Sequence, residues 1–146
     1  MSLSIVLDTN VFLVAFSRRS KYNWILQALL NEQYQLCLTT DIAFEYLEVV
    51  LRHGGRQAAH QVALFLERTE QVVWVHKYYA WRLIEADLDD NKFVDCAVAV
   101  NADYLVTEDQ HFNVLQDIPF PTVRVLDIAG FQRVLEEYGT SSEHQL

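Results

Sequence analysis

Proline and glycine are scarce in this chain of 146 residues, at two and four. That scarcity excludes a low-complexity chain and leaves few natural breaks between elements. Cysteine is equally rare. Cys37 and Cys96 both lie inside apolar segments, which supports neither a disulfide framework nor a zinc site. No apolar run reaches the roughly 18 residues a membrane span needs. No basic leader precedes a cleavage site either. Those absences predict a cytoplasmic protein with no membrane partner. Positive charge is the last deficit: 11 Lys and Arg stand against 20 Asp and Glu, for a net charge of −9. Such a balance disfavours a polyanionic partner, unless a divalent cation neutralises some of the carboxylates.

What the chain does have is apolar content, 51% of it, in a length that suits one domain with a full core. Strand-like segments fall at 4–8, 34–40, 72–76, 104–107 and 122–127. Helical spacing falls at 20–33, 41–53, 56–69, 79–86, 92–102 and 128–139, with Gly54 and Gly55 separating the second helix from the third. An acidic loop, "DLDDN", occupies 87–91, and residues 140–146 read as a disordered tail. Strands alternating with helices predict an α/β fold, a mostly parallel sheet covered by helices on both faces. Ligands of such sheets bind beyond the carboxyl ends of the strands.

The stretch "SIVLDTNVFLVAF" sets Asp8 and Asn10 inside an otherwise apolar run. A buried, unpaired carboxylate costs several kcal/mol or takes up a proton, so Asp8 needs a partner or a cation. The plainer reading is a turn-forming Asp bonded to nearby backbone. Asp109 follows the strand "YLVT" and would share its sheet edge with Asp8. Asp95 is the only charge between Lys92 and Asp103. On the helix 41–53, Glu45 and Glu48 border opposite sides of the apolar arc, and periodicity does not choose between them. Oxygen donors without paired His or Cys select Mg²⁺ or Mn²⁺. Without a cation, two carboxylates about 4 Å apart would repel by about 4 kcal/mol at an effective dielectric of ~20. The five histidines show no ligand spacing; His111 is notable only for its nearness to Asp109.

"IVLDTNVFLVAF", "TTDIAFEYLEVVL" and "DDNKFVDCAVAVNADYLVTEDQHF" together resemble the blocks of PIN domains, closest to the VapC-like toxin components of bacterial toxin–antitoxin pairs. The resemblance runs from Ser4 to about Leu135. It implies a three-layer α/β/α nuclease domain over residues 1–139 and a Mg²⁺- or Mn²⁺-dependent endoribonuclease. It carries the four acids onto Asp8, Glu45, Asp95 and Asp109 as catalytic and metal-binding residues, and so prefers Glu45 to Glu48. Asn10, Thr107, Asp90 and Asn91 match supporting polar positions. Where many relatives have Gly before the last Asp, this chain has Glu108. The implied reaction is metal-assisted hydrolysis of an RNA phosphodiester, leaving a 5′-phosphate and a 3′-hydroxyl. The implied partners are an RNA substrate, an antitoxin protein and a second copy of the chain.

Arg18, Arg19 and Lys21 cluster after the first block, and Arg52, His53 and Arg56 at a helix end. These are candidate contacts to an RNA backbone, or plain solvated surface. The aromatics Tyr78, Tyr79 and Trp81 could stack on bases. A dehalogenase-like phosphoryl enzyme would want a second Asp where Asn10 stands. A receiver-like domain would want an acidic pair before Asp8 and a late Lys. A rival of another class is a catalytically silent PIN-like module that binds RNA or a protein; retention of all four acids argues against it.

Overall fold

The computed structural model describes residues 2–144, with five strands forming one sheet among them. The chain enters through β1 (Leu3–Leu7) and turns directly into α1 (Thr9–Phe16). Helix α2 (Trp24–Leu30) leads to β2 (Tyr34–Leu38), α3 (Thr40–Arg68) and β3 (Val72–Trp74). A 3₁₀ turn, Leu88–Asp90, runs into α4 (Asn91–Val100), followed by β4 (Tyr104–Val106). A second 3₁₀ segment, Gln110–Asp117, precedes β5 (Val125–Leu126) and α5 (Ile128–His144). Every strand pair is parallel, in the order β3-β2-β1-β4-β5. The expected α/β architecture is therefore present, and the sheet is wholly parallel.

Ile5, Val6 and Leu7 of β1 and Leu36, Cys37 and Leu38 of β2 are all buried, so both faces of the central strands are covered. The order reverses between β1 and β4: the chain builds outward to β3, then returns to add β4 and β5 on the other side. Leu7 pairs with Val106 across that seam, which sets Asp8 beside Thr107 at the carboxyl edge. This is the topological switch point of an open parallel sheet, the place where such folds bind ligands.

Three local expectations change. Residues 41–53 and 56–69 merge into α3, kinked at Gly55, whose φ of 85° breaks the helix without a Cβ penalty. Thr40, which the sequence offers as the cap of residues 41–53, already lies inside the helix, and Thr39 caps it instead. Residues 79–86, expected to be helical, have no regular structure; they belong to an extended strap over 75–87. Side chains of α4 satisfy that strap's backbone. Asn91 accepts from the Ile84 amide at 2.9 Å and donates to the Ile84 carbonyl at 2.9 Å, and Asp95 accepts from the Trp81 amide at 3.0 Å. Polar groups supplied from outside the segment thus replace helical bonds, while Ile84 keeps its apolar burial. Of the tail expected over 140–146, residues 145 and 146 lie outside the described residues. Among the described residues no helix is long and apolar enough to cross a membrane.

Candidate metal centre

Asp8 ends β1 and caps α1. One carboxylate oxygen accepts from the Val11 amide at 2.9 Å, an ordinary N-cap bond. The other accepts from the Thr107 hydroxyl. Thr107 in turn accepts from the Asp109 amide at 3.0 Å, so one hydroxyl links the acids at the ends of β1 and β4. Asp8 is 6% exposed, and burial raises its pKa despite those donors; the charge of Asp109 adds to the rise. Asp109 caps the 3₁₀ segment, accepting from the His111 amide at 2.9 Å.

The third acid of the group is Asp90, at the entry to α4. Its Oδ2 is buried and has no hydrogen-bond partner. Burial, then the charges of Asp87 and Asp109, push its pKa up to about 6; His111 offsets part of this, and Asp8 adds a further push. The His111 Nδ1 lies 3.4 Å from Asp109 and 3.7 Å from Asp90. Asp87, Asp90 and His111 offer ligand atoms within 4.8 Å of one another. The charges of Asp8, Asp90 and Asp109 bear on one another, so carboxylates that follow β1, follow β4 and enter α4 share one region beside this cluster.

Glu45 stands at the margin of the group. Its neighbour Tyr46 donates to the Leu7 carbonyl and stacks on Phe12 at 3.9 Å, which anchors the first turns of α3 beneath Asp8. One Glu45 oxygen accepts from the Thr9 hydroxyl, and the other pairs with Lys92 Nζ at 2.7 Å. Both oxygens are therefore engaged by the protein itself. Lys92 is only 16% exposed, a cation built into the wall of the centre.

Asp95 does not join Asp8 and Asp109. It lies five residues beyond Asp90, about 140° farther round the helix. It accepts from Trp81, and the charges bearing on it are Lys77 and Asp41. The isolated acid that looked misplaced in an apolar helix is a fastening for the strap. Asn91, expected to support the acids, is likewise spent on Ile84 and Leu88. Asn10 is exposed on the first turn of α1. Glu108 accepts from the Ile128 amide at 2.8 Å and so caps α5 rather than crowding the acids.

The basic candidates lie elsewhere. Arg18 and His53 line an apolar groove of about 620 Å³ between α1, α2 and the two halves of α3. Arg52 pairs with Glu48 at 3.8 Å on open surface. The residues sequence reasoning undervalued are Asp87, Asp90, Lys92 and His111. Their signal was the density of acids at 87, 89 and 90 immediately before a helix entry.

The donor set is hard oxygen with one imidazole close by, and one buried oxygen has no proton donor. A divalent cation fits both facts. A parallel sheet that gathers acids at its switch point defines a class, α/β domains with a carboxylate cluster at the carboxyl edge. The family is more particular: the PIN domain family model matches residues 4–111, and the chain belongs to the PIN domain family. Solved structures share the fold. The chain is similar to VapBC2 from Rickettsia felis bound to a DNA fragment from their promoter, with a TM-score of 0.58 and 18% identity over 86% of this chain and 98% of that one. It is similar to PAE2754 from Pyrobaculum aerophilum (TM-score 0.58, 13% identity, 95% and 96% covered). The T. brucei RRP44 PIN domain resembles it at a TM-score of 0.53 and 14% identity, over 99% of this chain and 86% of that one. No curated protein matches the sequence.

Proposed function

We propose that this chain is a Mg²⁺- or Mn²⁺-dependent endoribonuclease, acting as the toxin of a toxin–antitoxin pair. The observation that carries the reading is the buried Asp90 oxygen without a hydrogen-bond partner, beside Asp8 and Asp109. A carboxylate kept so among other carboxylates serves a cation better than it serves the fold. Asp8, Asp90 and Asp109 would hold the ion, with His111 and Asp87 at its edge. When bound, the ion supplies an activated water and neutralises charge on the scissile phosphate. Thr107 keeps the Asp8 and Asp109 carboxylates in register. Thr9 and Lys92 hold Glu45 at the margin of the group.

VapBC neighbours support an antitoxin partner. The groove lined by Leu13, Phe16, Val50 and Phe65, with Arg18 and His53 at its rim, suits an amphipathic acidic segment of such a partner. A homodimer in the cytoplasm completes the proposal.

The test is thermal melting in EDTA and across a Mn²⁺ series, followed by RNA cleavage. A ligand that binds only the folded state adds about 2.7 kcal/mol at 100-fold over its Kd. We expect wild type to shift upward with Mn²⁺ and to cut RNA, and Asp90→Asn to do neither. Cleavage that survives both EDTA and Asp90→Asn would sink the proposal. A metal-dependent melting shift with no cleavage would leave a silent binding module.

A further inference from the structure

The strap over 75–87 does more than cross α4. Between Glu70 and Glu85 the chain has no acidic residue, yet it carries Lys77 and Arg82 among Tyr78, Tyr79 and Trp81. Lys77 is paired with Asp41 at 2.6 Å, which leaves Arg82, among the described residues, as the free cation of an aromatic segment in a protein of net charge −9. Tyr79 and Phe120 are 64% and 78% exposed. Tyr79 meets Trp81 edge-on at 4.7 Å, and Trp81 meets Phe120 edge-on at 6.0 Å, so the three form a ladder rather than a closed stack. Arg82, the next residue, has φ of 54°, a left-handed conformation that residues with a Cβ seldom adopt. The bonds from α4 to Trp81 and Ile84 pin the backbone on either side of it. Among the described residues no carboxylate pairs with Arg82. It lines a cleft of about 590 Å³ that also holds Asp41 and Asp95, with Lys77 paired to Asp41 and Lys92 to Glu45, and that reaches Asp89 and Asn91, the neighbours of Asp90; Arg82 is thus, among the described residues, the cation of this cleft left without a carboxylate.

We infer that the Tyr79–Trp81–Phe120 ladder, with Arg82, is a stacking track for single-stranded RNA leading along this cleft to the acid centre. Exposed rings accept any base face, and an unpaired guanidinium serves the backbone phosphate between them. A second copy of the chain fits less well, because a self-pairing face would bring these cations against their own copies. The inference deepens the nuclease reading and rests on it for the choice of RNA as the strand.

The test is fluorescence anisotropy of the full chain with a short labelled oligouridine in EDTA, where no cleavage occurs. Tyr79→Ala and Phe120→Ala are each expected to weaken binding roughly tenfold. Tyr79→Phe, which keeps the ring, should restore it. Arg82→Gln should weaken binding severalfold and flatten its salt dependence. Ring variants that bind as tightly as wild type would overturn the inference, as would a wild type that does not bind. A changed sedimentation coefficient in the ring variants would assign the face to a second copy and overturn it as well. Failure here with metal-dependent cleavage intact leaves the nuclease standing. Weakened binding in variants of a protein that never cuts RNA leaves the track standing instead.

Discussion

Helix α4 carries one buried acid, Asp95, and the turn that enters it ends in a second, half-buried one, Asp90, in different surroundings. At Asp95, the strap donates a backbone N–H and Lys77 supplies a nearby positive charge. At Asp90, an oxygen has no donor and the surrounding charge is mostly negative. Burial raises the pKa of both. Burial and an unusual pKa therefore do not by themselves distinguish a fastening from a ligand site. The missing partner does: a protein can bury a carboxylate for structural ends, but then it supplies the hydrogen bond.

The largest expected effect sharpens this contrast. Asp90→Asn or Asp109→Asn should lower Mn²⁺-dependent RNA cleavage by about 100-fold or more, some 2.7 kcal/mol of barrier, while Asp95→Asn, which keeps an acceptor for Trp81, should cost far less. Equal losses from Asp90→Asn and Asp95→Asn in single-turnover assays would break the comparison. Next comes stability. Asp95→Ala leaves the Trp81 amide without its acceptor and should destabilise the metal-free protein by about 1–3 kcal/mol, yet keep the Mn²⁺ shift in urea or thermal melts. Asp90→Asn should do the reverse, matching or exceeding the wild type in EDTA and losing the shift.

A smaller effect concerns pH. The folded pKa of Asp90 is raised to about 6, so its contribution to stability is complete below the ordinary carboxylate value and is lost as pH rises through about 6. In EDTA, wild type and Asp90→Asn should melt together near pH 4, and wild type should fall below the variant by pH 7. A constant gap across that range would show that Asp90 is not the group responsible. The smallest effect is at the surface: Arg52→Ala removes a fully solvated pair with Glu48 and should change stability by less than about 0.5 kcal/mol.

The parts of this protein that sequence made legible are those governed by local pattern. Asp8, Thr107 and Asp109 stand at strand ends, where alternation of apolar runs locates them. The alternation of strands and helices predicts the sheet. The strap defeated such reading because its amides are satisfied by Asn91 and Asp95, residues of the next element. The same exchange bears on Asp95: a carboxylate that serves a distant backbone N–H has, in one dimension, the same pattern as a catalytic acid. Asp90 matches only a supporting position in the sequence, since one acid among three in a loop carries no periodic signal.

The Thr107 hydroxyl that joins Asp8 to Asp109 has a further consequence. Asp8 and Thr107 directly follow adjacent hydrogen-bonded strands, so their separation follows strand spacing, about 4.8 Å between neighbouring chains, and Asp109 is tied to Thr107 two residues on. Asp90 is held by a different element, at the far end of the strap. The centre is therefore a vise with one jaw machined into the sheet and one mounted on a loop. Cation affinity is adjustable through the loop-borne jaw without disturbing the fold, and whatever threads along the strap acts on the jaw that can give.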